Sequence, residues 1–252
     1  MKIAVITGAS AGLGEEFAKQ AVREFPEIEC FWLIARREDR LIALAEQLGG
    51  KRTKILALDI CREDCLAVLE EELRKEKPEV KLLINNAGCG YLGNVGETVS
   101  GLQTRMTDLN VTALTAVTEA VLPYMAAGSH IVNVSSIASF CPNPRMTVYS
   151  ATKAYVSAFT RGLSEELKGK GISVTACCPG PMKTEFLDVG GIAGNSRTFQ
   201  LLPYCAPEKV VTGTLRAAKA GRVFYTPTAF YKFYRILAKV LPQRWVVKFA
   251  KT

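Results

Sequence analysis

Short apolar runs rich in Val, Ile and Leu recur at residues 3–7, 30–35, 53–58, 80–84, 131–135, 172–177 and 222–225. Each is bounded by glycine or polar residues and reads as a strand covered on both faces. Between them, residues 15–24, 40–48, 65–76, 101–125, 149–168 and 207–219 carry apolar side chains at a 3.6-residue period and read as amphipathic helices. This alternation predicts βαβ units with right-handed crossovers. The expected architecture is an α/β fold: a single Rossmann-type doubly wound domain, with a seven-stranded parallel sheet and helices on both faces. Two stretches break the rhythm. Residues 180–207 are rich in Gly, Pro and small side chains and follow a strand's carboxyl end, where open α/β sheets bind ligands. They are expected to form a substrate lid on a catalytic domain of residues 1–227. Residues 228–252 form an amphipathic tail, with Phe230, Phe233, Tyr234, Leu237 and Leu241 at helical spacing and Lys232, Arg235 and Lys239 on another face.

The chain has 252 residues, 48% hydrophobic and 22% charged, enough to bury one core without dividing into domains. A net charge of +8 suits a cofactor with several phosphates or an anionic surface. Nucleic acid has no motif to bind here. The eight cysteines form no CxxC pair and His130 is the only histidine, so reduced thiols are expected and no metal site. No apolar run reaches the ~18 residues needed to cross a bilayer, and the start does not read as a signal peptide; a cytoplasmic protein is expected.

The first strand runs into Thr7-Gly8-Ala9-Ser10-Ala11-Gly12-Leu13-Gly14 and then a helix. Glycines at a strand-to-helix turn let backbone N–H groups reach a pyrophosphate at the positive end of the helix dipole. The same stretch also satisfies the G-x-S-x-G elbow of α/β hydrolases, with Ser10 as nucleophile and His130 as the later base. Almost no chain precedes Gly8 to supply the earlier strands and oxyanion loop of that fold, which argues against it. The second strand ends in Arg36-Arg37, about twenty residues on, where an adenosine ribose should lie. A carboxylate there would select NAD, and Glu38 and Asp39 keep that alternative open; arginine forks suit a 2′-phosphate, so NADP(H) is the expected cofactor unless the arginines only cap a solvated helix start.

A second signal is Tyr149-Ser150-Ala151-Thr152-Lys153, with Tyr149 and Lys153 one helical turn apart. A phenol has a pKa near 10. An ammonium about 4 Å away at an effective dielectric near 20 favours the phenolate by about 4 kcal/mol, so Lys153 is expected to pull Tyr149 towards neutral pH.

Thr7-Gly8 to Gly14, Asn85-Asn86-Ala87-Gly88, Asn110, Ser136, Tyr149-x-x-x-Lys153 and Pro179-Gly180 with Thr184 resemble, in order and spacing, the motifs of the short-chain dehydrogenase/reductase family. The match covers about residues 1–225. The resemblance implies a catalytic tetrad of Asn110, Ser136, Tyr149 and Lys153, and hydride transfer between a secondary alcohol or ketone and NADP(H). Of the neighbours Ser135 and Ser136, family spacing selects Ser136. It also implies that Gly8, Ser10, Gly12, Leu13, Gly14, Arg36, Arg37, Asp59, Ile60, Asn86, Ala87 and Gly88 hold the adenosine and phosphates. Pro179, Gly180, Met182 and Thr184 would lie with Tyr149 and Lys153 at the nicotinamide.

Phe140, Cys141 and Met146 follow the catalytic serine, and Phe186 and Leu187 enter the lid, so an apolar substrate pocket is expected. Steroid-like, acyl and aliphatic carbonyls all suit it. The expected partners are that small molecule and further copies of the chain, as a homodimer or homotetramer, with the tail docked on the protein or resting on a membrane surface. The rival from another class is a non-catalytic dinucleotide-binding regulator, against which the intact tetrad argues.

Overall fold

The computed structural model describes residues 1–192 and 194–250. Residues 193, 251 and 252, parts of the expected lid and tail, lie outside the described residues. Among the described residues the strands form one parallel sheet of seven, in the order β3-β2-β1-β4-β5-β6-β7. In chain order they are β1 (Lys2–Thr7), β2 (Cys30–Ala35), β3 (Arg52–Ala57), β4 (Glu79–Asn85), β5 (His130–Val134), β6 (Ser173–Cys177) and β7 (Phe224–Tyr225). The order in which strands are added reverses between β1 and β4. That is the switch point where a doubly wound sheet opens a crevice beyond its carboxyl edge.

The helices are α1 (Gly12–Glu24), α2 (Glu38–Gln47), α3 (Glu63–Glu76), α4 (Leu102–Thr107), α5 (Leu114–Val121), α6 (Thr147–Lys168), α7 (Glu185–Val189), α8 (Arg197–Leu201), α9 (Pro207–Lys219), α10 (Ala229–Val240) and α11 (Gln243–Phe249). Helices α1, α2 and α9 cover one face through Phe17, Leu41 and Leu215, which pack with Ile6, Phe31 and Val132. On the other face Leu69, Val117 and Leu163 meet Val5, Trp32 and Ile131. Alternate strand residues thus feed two separate cores, which is why the strands read as unbroken apolar runs.

The expected helix over 101–125 runs without interruption from Leu102 to Tyr124, though its winding is not uniform. Between α4 and α5 the backbone widens into a π-turn over Asp108–Ala113, and Pro123 ends α5 in a 3₁₀ turn. The 180–207 excursion is not structureless, since it carries α7 and α8.

The tail is also corrected. Phe230 and Phe233 of the expected apolar stripe are 51% and 60% exposed, while Tyr231 and Ala238, outside that stripe, are buried. Arg235 turns inward with its guanidinium 4.2 Å from the Phe224 ring, leaving Lys232 and Lys239 at the surface. The apolar arc of helix α10 is wide and includes both the buried Tyr231 and Ala238 and the exposed Phe233 and Ile236, so periodicity did not decide which part of it packs. A Cβ on Gly180 would run into the Tyr231 ring, and the Tyr231 hydroxyl donates to the Pro203 carbonyl at 2.5 Å, which fixes the choice.

Candidate active site

A cleft of about 640 Å³ opens along the carboxyl edge of the sheet, over the switch point. Its floor begins at the turn after β1, where Gly8 and Gly12 adopt left-handed φ values of 64° and 56° that side chains resist. The end of β4 clamps this turn. The Asn86 side-chain amide donates to the Thr7 and Gly8 carbonyls at 3.1 and 3.0 Å, and the Asn86 and Ala87 N–H groups donate to Thr7 Oγ1. A Cβ on Gly14 would overlap the Gly8 carbonyl, so that glycine lets α1 close onto the turn rather than lining the cleft. Helix α1 has no side-chain cap, and its first residues Gly12 and Leu13 line the cleft. Unpaired N–H groups at a helix start are what a phosphate needs.

Ser10, Arg36, Arg37, Asp59, Ile60, Ala87 and Gly88 line the same end. Arg37 donates to Ser10 Oγ through Nη2 at 3.2 Å and to Glu185 through Nη1 at 2.9 Å; Arg40 donates to the other oxygen of Glu185 at 3.0 Å. The Arg37 guanidinium holds the Glu185 carboxyl below the usual range, with Arg40 adding to the effect. Sequence reading missed both Glu185 and Arg40. Asp59 Oδ1 accepts the Cys61 N–H at 3.2 Å and so tightens the turn after β3.

The reactive end is built from three elements. The π-turn carries Asn110 into full burial, where Nδ2 donates to the Cys89 carbonyl and Thr152 Oγ1, and Oδ1 accepts the Cys89 N–H. From α6, Lys153 Nζ donates to the Val134 carbonyl at 2.8 Å and stands 5.8 Å from the centre of the Tyr149 ring. The two side chains share one face, as their spacing requires. After β5, Ser135 turns towards α6 and donates to the Lys153 carbonyl. Ser136 faces the cleft and hydrogen-bonds Tyr149. Gly90 gives the phenol its berth, since a Cβ there would lie 2.9 Å from the Tyr149 ring and 2.7 Å from Phe186.

Burial dominates the electrostatics. It pushes the Tyr149 phenol up to about 12 against the Ser136 hydrogen bond, and pulls the Lys153 ammonium down to about 8. The expected lowering of Tyr149 by Lys153 is therefore not the state of the ligand-free site: both groups are desolvated and each favours its neutral form. Between about pH 8 and the ordinary lysine value near 10.4, the unfolded chain holds a proton that the folded chain releases, so this group makes stability rise with pH. Tyr149 acts oppositely, the folded chain keeping its proton up to about 12 while an ordinary phenol loses it near 10. Across the Lys153 window, melting temperatures of ligand-free protein should move in favour of the parent over Lys153→Met. A pH-independent difference would contradict the assignment.

The substrate end is walled by Met146, Phe186, Leu187, Phe199, Leu202 and Phe230. Phe140 and Cys141 do not line it. Phe140 packs on Tyr234 and Cys141 is buried with Ala238 and Val246, because the tail covers the segment after the serine. Pro179, Gly180, Met182 and Thr184 line the middle of the cleft. The hydrolase alternative is overturned by placement. His130 begins β5 at the amino edge, bonded to Ser173 at 2.7 Å, whereas Ser10 follows β1 at the carboxyl edge.

A switch-point cleft with a phosphate cradle at one end and a buried Ser-Tyr-Lys group at the other defines an α/β oxidoreductase. A family model for short chain dehydrogenases matches residues 2–190. Sulfoacetaldehyde reductase 2 of Chromohalobacter salexigens is 38% identical over 192 residues, 73% of this chain and 74% of that protein. A solved short-chain dehydrogenase from Sphingobium yanoikuyae, in complex with NADPH, is 30% identical with a TM-score of 0.80, covering 96% of this chain and 97% of its own. The bulky-bulky ketone specific alcohol dehydrogenase of Comamonas testosteroni is 28% identical with a TM-score of 0.78, covering 98% and 94%. The chain belongs to the short-chain dehydrogenase family.

Proposed function

We propose that the protein interconverts a secondary alcohol and a ketone on an apolar substrate, using NADP(H). The carrying observation is that Ser136, Tyr149 and Lys153 share one cleft with the glycine cradle and with an apolar wall. The cradle fits a dinucleotide because Gly8 and Gly12, which line the cleft, put no side chain between the backbone and a pyrophosphate. Arg36 and Arg37 would take the 2′-phosphate, in keeping with the NADPH complex of the Sphingobium relative.

A bound nicotinamide dinucleotide supplies or accepts the hydride. The chain's own residues do the rest. Tyr149, protonated at neutral pH like any phenol and held more firmly so by burial, is ready to donate to a carbonyl oxygen during reduction. Ser136 holds that oxygen by a second hydrogen bond. Lys153 is a positioning group for Tyr149 and for the nicotinamide ribose. Asn110 ties the loop at Cys89 to α6 through Thr152 and so holds the site's two walls together, beside the place where a water relay would run.

The bulky ketone in the Comamonas enzyme's name suits an apolar wall. The small sulfonate in the Chromohalobacter enzyme's name needs a cation, and among the described residues those lining the cleft are Arg36, Arg37, Arg105 and Lys153. A screen of NADP+ and NAD+ against hydroxysteroids, aliphatic secondary alcohols and small polar alcohols, read at the nicotinamide absorbance, tests the reading. The expected result is turnover of bulky apolar alcohols with NADP+; preference for sugars or sulfonates would sink it.

A further inference from the structure

We propose that α10 and α11 form a docking surface for an anionic phospholipid bilayer and set the mouth of the cleft at the lipid surface. One side of this pair is fixed to the body of the protein by Tyr231, Ala238, Val246 and Ala250, all buried. The opposite side is an apolar crest. Phe233, Ile236 and Val240, at i, i+3 and i+7, are 60%, 60% and 74% exposed, with Phe230 and Trp245 half exposed beside them. Clustered aromatic and aliphatic exposure of this kind is unlike the scattered apolar residues of an ordinary surface.

Charge identifies what covers it. The 44 residues after Glu208 contain ten Lys and Arg and no Asp or Glu, so the chain's entire positive excess lies here and the first 208 residues are slightly acidic. On the pair itself Lys232, Lys239, Arg244 and Lys248 are exposed and form no ion pair among the described residues. Cations flanking an apolar crest match a layer of lipid phosphates above acyl chains. A second copy seated on the same face would bring two basic tails together. Among the described residues no helix is long and apolar enough to cross a membrane, so the pair lies along the surface. Phe230 belongs both to the crest and to the cleft wall, and Tyr234 and Val246 continue that wall inward. The apolar path from bilayer to cleft is continuous, which suits a substrate dissolved in lipid; that last point rests on the proposed function, whereas docking does not.

Co-sedimentation with vesicles measures docking without any turnover. The full chain should pellet with vesicles of equal phosphatidylcholine and phosphatidylglycerol, bind pure phosphatidylcholine roughly tenfold more weakly, and detach as salt rises. Phe233→Glu with Ile236→Glu should lower binding by roughly tenfold or more while turnover of a water-soluble carbonyl stays unchanged, since neither residue lines the cleft. Lys232→Gln with Lys239→Gln, which leaves the crest intact, should weaken binding to the anionic vesicles alone. The idea is overturned if the parent ignores lipid charge, if both variants bind like the parent, or if the crest variant only splits an oligomer and the parent never pellets.

Discussion

Replacing Tyr149 by Phe is expected to lower turnover by about a thousandfold or more, the range a positioned proton donor supplies, while leaving the dinucleotide's dissociation constant nearly unchanged. The ring keeps its contacts in this variant. Its packing against Phe186, at 5.7 Å between centroids, survives, and only the hydroxyl that bonds Ser136 is lost. Steady-state rates with a good substrate, beside fluorescence titration of the reduced cofactor, separate the two effects. Retained turnover would remove Tyr149 from the mechanism. Equal losses of rate and cofactor binding would mean that the change had disturbed the fold of the site rather than its chemistry.

The second large effect concerns the cofactor. Arg36→Ala with Arg37→Ala should weaken NADPH binding by about a hundredfold, the equivalent of one or two charge-assisted hydrogen bonds, and change NADH binding little. Both side chains reach the cleft from the end of β2; in the glycine turn Arg37 bonds the Ser10 hydroxyl, while the backbone of the turn is held by Asn86. Titration of the two dinucleotides against parent and variant checks this. Parallel losses for both would show that the arginines support the adenosine generally instead of reading its phosphate.

Much of this arrangement was legible because one-dimensional patterns and local chemistry agree. Strand 30–35 and helix 207–219 fall where hydrophobic periodicity puts them, since each packs against a core on schedule. Glycines at the first turn and the four-residue step from Tyr149 to Lys153 are likewise local facts. Where the reading failed, a distant partner decides. The widened turn within 101–125 holds Asn110, whose bonds reach Cys89 and Thr152, 21 and 42 residues away. Phe140 and Cys141 left the substrate wall because a tail about a hundred positions later lies over them. Helical spacing brings Lys153 beside Tyr149 but says nothing of desolvation, and desolvation sets both ionisations.

Glu185 changes what affinity for a phosphorylated dinucleotide means in this protein. Arg37 already holds an anion, and that carboxylate is shared with Arg40, 148 and 145 residues from the two guanidiniums. On the proposed reading a phosphate arriving at Arg37 would compete with that carboxylate, and the preference for a phosphorylated dinucleotide would be the surplus of the newcomer over the incumbent. Because the incumbent belongs to α7, whose Phe186 and Leu187 wall the apolar end of the cleft, such a swap would loosen a tether on the segment that the proposed substrate has to pass.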